Sequence, residues 1–377
     1  MVSYQVLVPY AGPRVLGRAH QTRLWSSLPF DVLGSMIKWL RSNGAVVSDV
    51  EIAQLTQNVS GTTVRGLRAT RAFEPGEMLF RVPFSAMLRS SEMASKNTTL
   101  YASTPGTRAL TVLASAVLEA PTQWAPYIRS VTPSFASHPL WWFAFPDEFQ
   151  VAVLHVNQSK ALRSLAKLMV TEVASMRRDY HSMALSYEHH PKVVVRRKVC
   201  DPRQFVRALL HATSHHFELA EAIHGTEFKA LVPLFDLINA PERELDANVA
   251  IHPRIRQGWS SHATELELVC TARTGIVAGQ ELYRTYHDEH GDVSAGRYLS
   301  VFGWLPAHMS AKEPRVSKAI ARASALAAAA QQSAFSATAV TWPETPPYCT
   351  TLTTEREERK RRARSRPRAK DKQELRR

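Results

Sequence analysis

Two stretches of the chain decide its fold: Pro233-Leu-Phe-Asp-Leu-Ile-Asn239 and Gly279-Gln-Glu-Leu-Tyr-Arg-Thr-Tyr286. The first is an apolar strand or turn that ends in an acidic residue and an amide. The second is a glycine-led strand that ends in a tyrosine, whose hydroxyl would face a reacting centre if the two stretches met. Taken alone, Asp236 and Asn239 are equally typical of an ordinary turn and cap pair.

With a third stretch, Val64–Pro83, these segments resemble the SET-domain protein methyltransferases. The chain is similar to the branch of the RuBisCO large-subunit and actin-histidine methyltransferases, whose SET domain is split by a long helical insert. The resemblance implies an α+β fold in which the Asn239 and Tyr286 segments pass through one another in a pseudoknot. Such threading is an exception to the usual unthreaded connections.

Periodicity and composition divide the chain into segments. Apolar residues at helical spacing predict a helix from Asp31 to Asn43, and alternation from Glu265 to Cys270 predicts a half-buried strand. Inside the insert, the Trp-x-Pro-Tyr phrase at 124–127 resembles a recurrent phrase of the branch. The predicted segments are an N-terminal segment that is disordered or targeting (1–29), a SET domain (30–305) made of a first half (58–89), a helical insert (90–228) and a second half (229–305), a short helical extension (306–340) and a disordered basic tail (341–377).

The resemblance implies an S-adenosylmethionine-dependent protein-lysine N-methyltransferase that acts on a histone or non-histone protein. Tyr286 matches the catalytic aromatic hydroxyl. Phe217 and Tyr283 would line the substrate channel, and an apolar wall at Phe217 favours lysine over histidine as the acceptor. The positions that match cofactor-binding residues are Thr63, Arg65, Ser214, His215, Asp236, Asn239 and Ala240.

For methyl transfer the protein must chiefly align the substrate nitrogen with the methyl group of the cofactor. The substrate nitrogen attacks a methyl carbon in line with the leaving sulfur, so a narrow channel that holds both partners lowers the barrier. The lysine must first lose its proton, and an apolar channel that faces a sulfonium cation favours the neutral amine. No strong general base is required.

Several positions depart from the family pattern. Val64 stands where the family commonly has glycine, and a β-branched residue would be strained there if the position needs a positive φ. His215 replaces an arginine that meets the cofactor's carboxylate, Ala240 replaces the histidine of an Asn-His pair, and Ala295 and Arg297 replace an Asn and a Glu. These departures keep two alternatives open: a catalytically weak SET protein that acts as a partner-binding module, and a protein-histidine methyltransferase.

The charge of the chain is concentrated at its end. The segment from Glu355 to Arg377 holds twelve Lys or Arg and five Asp or Glu, so it carries +7 of the net charge of +14. Such a tail is a solvated disordered segment, a nuclear-import signal, or a weak contact for a nucleic acid or acidic partner. The first thirty residues contain Arg but no Asp or Glu, as in mitochondrial transit peptides. The predicted location is nucleus or cytoplasm, with the mitochondrion as the alternative.

Cysteine and histidine spacing argues against two kinds of site. The three cysteines form no CxxC pair, which argues against a disulfide framework and a zinc cluster. His211 and His215 lie one helical turn apart, but no Glu follows His211 as in HExxH, so we predict no metal site. No apolar run approaches the ~18 residues that a membrane span requires. We expect a monomer that does not enter a membrane.

Overall fold

A computed structural model of the protein describes most of the chain outside its two ends. The predicted catalytic Tyr286, the N-terminal segment 1–29 and the charged part of the basic tail lie outside the described residues. The described residues are 30–56, 63–91, 105–119, 122–130, 138–190, 192–220, 227–241, 244–257, 264–285, 294–305, 307–333, 342 and 345–352.

The first part of the chain is a helix followed by short strands. The elements are α1 (Phe30–Ser42), β1 (Val46–Val47), β2 (Val50–Thr56), β3 (Thr63–Ala69), β4 (Met78–Pro83) and β5 (Leu88–Arg89). Helix α1 agrees with the apolar spacing, since Met36 and Leu40 are buried. The strands begin before residue 58, the predicted start of the first half, because Val47 and Val50 are buried against the rest of the sheet region.

The insert is helical from residue 105 onward. Its helices are α2 (Pro105–Glu119), α3 (Ala125–Ser130), α4 (Pro139–Ala144), α5 (Gln150–Gln158), α6 (Arg163–Ser186), α7 (Val193–Val199) and α8 (Pro202–His215). The apolar stripe along α6 is buried, as its helical spacing predicts. The buried stripe includes Leu165, Met169, Met176, Tyr180 and Met183.

Strands return directly after α8. The remaining elements are β6 (His216–Ala220), β7 (Glu227–Leu231), β8 (Val249–Gln257), β9 (Thr264–Ala272), α9 (Ala295–Phe302), α10 (Ala307–Lys312) and α11 (Pro314–Ser333). Strand β6 therefore lies inside the segment predicted as helical insert (90–228). It forms because residues 216–220 pair antiparallel with β7, and this tertiary pairing replaces a further turn of helix.

The strands form three small antiparallel sheets, ordered β1-β4-β9-β8, β2-β3 and β5-β7-β6. Strand β9 lies between β4 and β8, so both of its edges are paired. Glu267, which the alternation places on a solvent-facing side, is only 1 % exposed and pairs with Arg81 and Arg254. The half-buried strand predicted from residue 265 is thus buried on both faces, and the two guanidinium groups compensate the enclosed carboxylate.

The segment after α11 packs on the insert, although residues beyond 341 were predicted to be disordered. Trp342 is 4 % exposed, and its ring centroid lies 5.2 Å from that of Tyr180. Cys349 forms a disulfide with Cys200 at the end of α7. The cysteine spacing argued against a disulfide framework, and this bond contradicts that prediction. The two partners are 149 residues apart in sequence, so no local spacing indicates the pair.

Candidate active site

The segment after β9 runs along the edge of β3 that β2 does not occupy. Leu282 N donates to Leu67 O (2.8 Å), Ala69 N donates to Gln280 O (2.9 Å), and Gly279 N donates to Ala69 O (2.8 Å). Two of the three stretches that carry the family resemblance therefore join through main-chain hydrogen bonds.

The Asn239 segment joins the same place. Asn239 and Tyr283 form a parallel β-bridge, and Arg284 N donates to Asn239 O over 3.0 Å. The bridge brings together the two stretches that the sequence separates by the whole β8–β9 hairpin.

A carboxylate ties the three stretches together. Glu281 accepts from Asn239 Nδ2 through Oε1 (2.8 Å) and from the Tyr283 hydroxyl through Oε2 (2.7 Å). Gly66 of β3 lies against the same atoms, since a Cβ added there would be 2.6 Å from Asn239 Nδ2 and 2.9 Å from Glu281 Oε1. We call Gly66, Asn239, Glu281 and Tyr283 the junction. Tyr283, predicted to line the channel, directs its hydroxyl to Glu281.

Asn248 supports the junction from the side, and sequence reasoning missed it. Its amide nitrogen donates to Glu281 O and its amide oxygen accepts from Tyr283 N, both over 2.8 Å. Asn248 is 3 % exposed. A single asparagine before a strand carries no distinctive pattern, so only the tertiary pairing identifies it.

The turn before Asn239 is strained and tied to the insert. Leu234 is buried with φ 71° and ψ −44°, a backbone conformation that costs a non-glycine residue about 1–3 kcal/mol. Asp236 follows it and accepts a hydrogen bond from Tyr127 Oη of α3 (2.8 Å). His211 Nε2 of α8 lies 3.4 Å from the same hydroxyl. Burial, with the neighbouring Asp236 carboxylate, holds the pKa of Tyr127 well above its ordinary value.

Ser214 and His215 lie at the C-terminal end of α8. Ser214 Oγ donates to Leu210 O (2.8 Å) and also lies 2.6 Å from His215 Nδ1. His215 Nδ1 lies 3.2 Å from His211 O. The Ser214 hydroxyl already donates its proton to Leu210 O, and the carbonyl oxygen of His211 can only accept. Both contacts of His215 Nδ1 therefore require that a neutral His215 carries its proton on Nδ1. In that tautomer Nε2 of the neutral ring is an acceptor.

Phe217, the predicted channel wall, is half-buried beside the junction. Its ring packs edge-on against Phe235, with centroids 6.0 Å apart, and the guanidinium carbon of Arg284 lies 4.5 Å from its centroid. A cation–π contact of this kind covers part of the apolar wall with positive charge.

The main-chain groups of Thr63 and Arg65 point to the same edge of β3 as the junction. In an antiparallel pair, the N–H and C=O groups of alternate residues face alternate edges. The main-chain groups of Leu67 and Ala69 bond to the segment 279–282. The main-chain groups of Thr63 and Arg65 therefore face the same edge of β3, further along the strand than the bond to Leu282. This alternation places two sets of main-chain donors and acceptors next to the junction.

The family departures lie in unstrained positions. Val64 lies within β3, where it pairs antiparallel with Leu55, and extended backbone of this kind accepts a β-branched residue. Ala240 is half-buried directly after Asn239. Ala295 and Arg297 belong to α9, where Arg297 pairs with Glu172 on the surface.

Within the described ranges, no group of three His, Cys, Asp or Glu side chains is placed to hold a metal ion. The His211 and His215 rings lie side by side with centroids 4.5 Å apart. In the same part of the chain, no helix combines the length and apolar character that crossing a membrane requires.

Comparison with known proteins supports the fold. No family model matches the chain. The chain is 24% identical over 287 residues to N-lysine methyltransferase SETD6 of Rattus norvegicus, a match that covers 73% of this chain and 54% of the rat protein. It therefore spans about half the length of this curated relative.

Two crystal structures of the SET domain of LSMT superpose on the chain. The complex with lysine and AdoHcy matches with a TM-score of 0.51 and 18% identity, over 73% of this chain and 57% of that one. The complex with methyl-lysine and AdoHcy matches with a TM-score of 0.50 and 17% identity, over 73% and 56%. With the junction and the helical insert, these matches show that the chain folds as a SET domain of the split kind.

Proposed function

We propose that the chain is an S-adenosylmethionine-dependent protein-lysine N-methyltransferase. The observation that carries the proposal is the junction, where Gly66, Asn239 and the segment 281–283 meet in a SET fold. The relative named above is an N-lysine methyltransferase. A matching SET-domain structure contains lysine together with AdoHcy.

The residues around the junction suit the amino-acid end of S-adenosylmethionine. That end carries an ammonium and a carboxylate, and it needs acceptors and donors together. Main-chain groups of Thr63 and Arg65 offer both kinds of atom, and a protonated His215 offers a charged donor to the carboxylate. We assign Asn239, with Ser214, Asp236 and Ala240 around it, to the same binding surface. When bound, the cofactor would supply a methyl group on a sulfonium for in-line transfer to nitrogen.

The substrate side would be formed by Phe217, Tyr283 and Tyr286. The Phe217 ring excludes water from one wall, which favours the neutral amine of a lysine. The Arg284 guanidinium beside it adds positive charge, which favours deprotonation of the substrate ammonium by repulsion. We assign the Tyr286 hydroxyl to orienting the amine and accepting weak C–H hydrogen bonds from the methyl group.

Cofactor binding tests the first half of the proposal. Titration calorimetry with S-adenosylhomocysteine should give binding heat, and ligand at about 100 times Kd should stabilise the fold by about 2.7 kcal/mol. Asn239→Ala should abolish both effects. Asn43→Ala, which removes an amide bonded only to Trp39 O at the exposed end of α1, should abolish neither. A folded wild-type protein with no detectable heat would refute the proposal and favour the partner-binding module.

Methyl transfer tests the second half. Protein extract is incubated with the chain and S-adenosylmethionine that carries an isotopically labelled methyl group, and hydrolysed protein is analysed by mass spectrometry. We expect labelled methyl-lysine, and Tyr286→Phe should lower the rate far more than the affinity for S-adenosylhomocysteine. Label in methyl-histidine instead of methyl-lysine would show that histidine is the acceptor.

We also propose that the chain acts as a monomer in the nucleus or cytoplasm, with the mitochondrion as the alternative.

We propose in addition that the C-terminal tail binds a partner weakly. The charge excess from Glu355 onward supports this, because it suits weak binding to a nucleic acid or an acidic protein surface. Affinity for a single-stranded oligonucleotide should fall steeply with salt, and truncation after Thr354 should remove it. A salt-independent affinity that survives truncation would assign the binding to another surface.

A further inference from the structure

The Trp-x-Pro-Tyr phrase of the insert ends in a buried tyrosine. Trp124 closes a 3₁₀ turn, and Ala125, Pro126 and Tyr127 form the first turn of α3. Proline fits the start of a helix because its missing N–H has no partner there in any case. The phrase therefore fixes where α3 begins and directs Tyr127, which is 1 % exposed, into the interior.

Tyr127 links the insert to the strained turn. Its hydroxyl donates to Asp236 Oδ2 over 2.8 Å, and Asp236 is 6 % exposed. His211 of α8 lies 3.4 Å from the hydroxyl on its other side. Because burial holds the pKa of Tyr127 well above its ordinary value, the hydroxyl keeps its proton and remains a donor throughout the physiological range.

The turn that Asp236 belongs to depends on such a contact. Two of its three main-chain hydrogen bonds are long: Asp236 N to Val232 O and Ile238 N to Phe235 O are both 3.3 Å, whereas Leu237 N to Leu234 O is 2.9 Å. Leu234 holds a positive φ within the same turn. A turn with two long internal bonds and a strained residue keeps its shape when its surroundings hold it.

We propose that Tyr127 is a positioning residue for the cofactor-binding surface: its hydrogen bond to Asp236 holds the turn 232–239 so that Asn239 meets Glu281 and Tyr283. The assignment rests on the proposed function. Through this bond the helical insert, although it interrupts the SET fold, completes the site by fixing the stretch 233–239 against the stretch 279–286.

The test uses two tyrosine variants that lose one buried hydroxyl each. Tyr127→Phe removes the hydrogen bond to Asp236. Tyr180→Phe is the matched control, because Tyr180 is also fully buried but donates to Cys200 O (3.0 Å) instead of to the turn 232–239. Both variants should lose thermal stability, and Tyr127→Phe should lose more because its bond goes to a charged group. Only Tyr127→Phe should weaken S-adenosylhomocysteine binding, by roughly tenfold, as expected for one buried hydrogen bond to a charged group.

Hydrogen exchange without ligand gives a second measurement that does not depend on cofactor binding. Amides of residues 235–239 should exchange faster in Tyr127→Phe than in Tyr180→Phe. Equal exchange in the two variants, with wild-type affinity in Tyr127→Phe, would overturn the positioning role. Selectively faster exchange in a chain whose wild type binds no S-adenosylhomocysteine would support the positioning of the turn while refuting the methyltransferase proposal.

Variants of Asp236 keep the test decisive if Tyr127→Phe does not fold. Asp236→Asn retains an oxygen that accepts from Tyr127, so its turn should exchange more slowly than that of Asp236→Leu, which retains none. Where all variants fold, adding Tyr127→Phe to Asp236→Leu should cause no further loss of affinity, because the bond is already absent. Fully additive losses, or equal exchange in the two Asp236 variants, would contradict the proposal.

Discussion

Substitution of Gly66 by alanine should disrupt the junction directly. The added methyl group would lie 2.6 Å from Asn239 Nδ2, 2.6 Å from Leu55 Cδ1 and 2.9 Å from Glu281 Oε1. All three distances are well below van der Waals contact. Asn239 and Glu281 are bonded to each other, so neither side chain moves without lengthening their 2.8 Å hydrogen bond.

Two terms set the size of the effect. Forcing a methyl group into filled space costs about 1–3 kcal/mol. Losing a hydrogen bond to a carboxylate costs about 1.5–3 kcal/mol when it is buried, and less here because Asn239 and Glu281 are half-buried. The two terms overlap, because moving Asn239 away relieves the clash. The three atoms are also the ends of flexible, half-buried side chains. We therefore expect Gly66→Ala to lower the free energy of unfolding by about 1–3 kcal/mol and to weaken S-adenosylhomocysteine binding.

Urea unfolding followed by linear extrapolation measures this loss. Gly275→Ala is the matched control, because Gly275 is exposed, has no positive φ, and an added Cβ there meets no atom within 4 Å. That variant should stay within about 0.5 kcal/mol of wild type. A Gly66→Ala protein as stable as Gly275→Ala would refute the reasoning, since it would mean that Gly66 does not touch the other two stretches.

Three further predictions concern other parts of the molecule. His215→Arg should strengthen S-adenosylhomocysteine binding, measured by calorimetry at neutral pH, because a guanidinium is charged and donates at every relevant pH. Burial lowers the pKa of His138 to about 4 from its ordinary 6.5. As the pH falls below 6.5, His138 is protonated in the unfolded chain before it is protonated in the folded chain. About 3 kcal/mol of stability that is present above pH 6.5 should therefore be lost as the pH falls towards 4. His138→Asn, which keeps a helix-capping acceptor, should show a smaller loss in urea unfolding at the same pH values. Cys200→Ser should lower the free energy of unfolding by about 2–4 kcal/mol under oxidising conditions, and a reductant should remove the difference from wild type.

The sequence predicts the elements whose signal is local. Apolar spacing identifies α1 and the stripe of α6, and glycine and proline mark the turns between the first strands. The meeting of the Asn239 and Tyr283 stretches follows from the family resemblance rather than from periodicity, since nothing in either stretch encodes a contact across the β8–β9 hairpin. The resemblance also included Gly66 in the third stretch. It did not predict that Gly66 lies against Asn239 and Glu281.

The features that sequence reasoning missed depend on distant partners. Glu267 looks solvent-facing until the neighbouring strands β4 and β8 supply its two arginines. Asn248 and Tyr127 are ordinary polar residues until folding places Tyr283 and Asp236 beside them. Cys200 and Cys349 become neighbours only after the C-terminal segment packs on the insert. In each case the partner in space is far away in sequence, and a local pattern contains no information about it.

The way the junction is built limits what the family departures can change. The bonds from Leu282 to Leu67 and from Arg284 to Asn239 join main-chain atoms, so they form whatever side chain occupies position 240. Within β3, Val64 pairs with Leu55, so it leaves β3 in place. His215 differs from these positions because its role depends on a side-chain donor. The His215→Arg variant therefore separates two kinds of weak binding: tighter binding would show that the main-chain surface is intact and lacks only a permanent charge. Unchanged weak binding would place the defect in the surface itself, and the partner-binding module would then explain the chain better than the enzyme does.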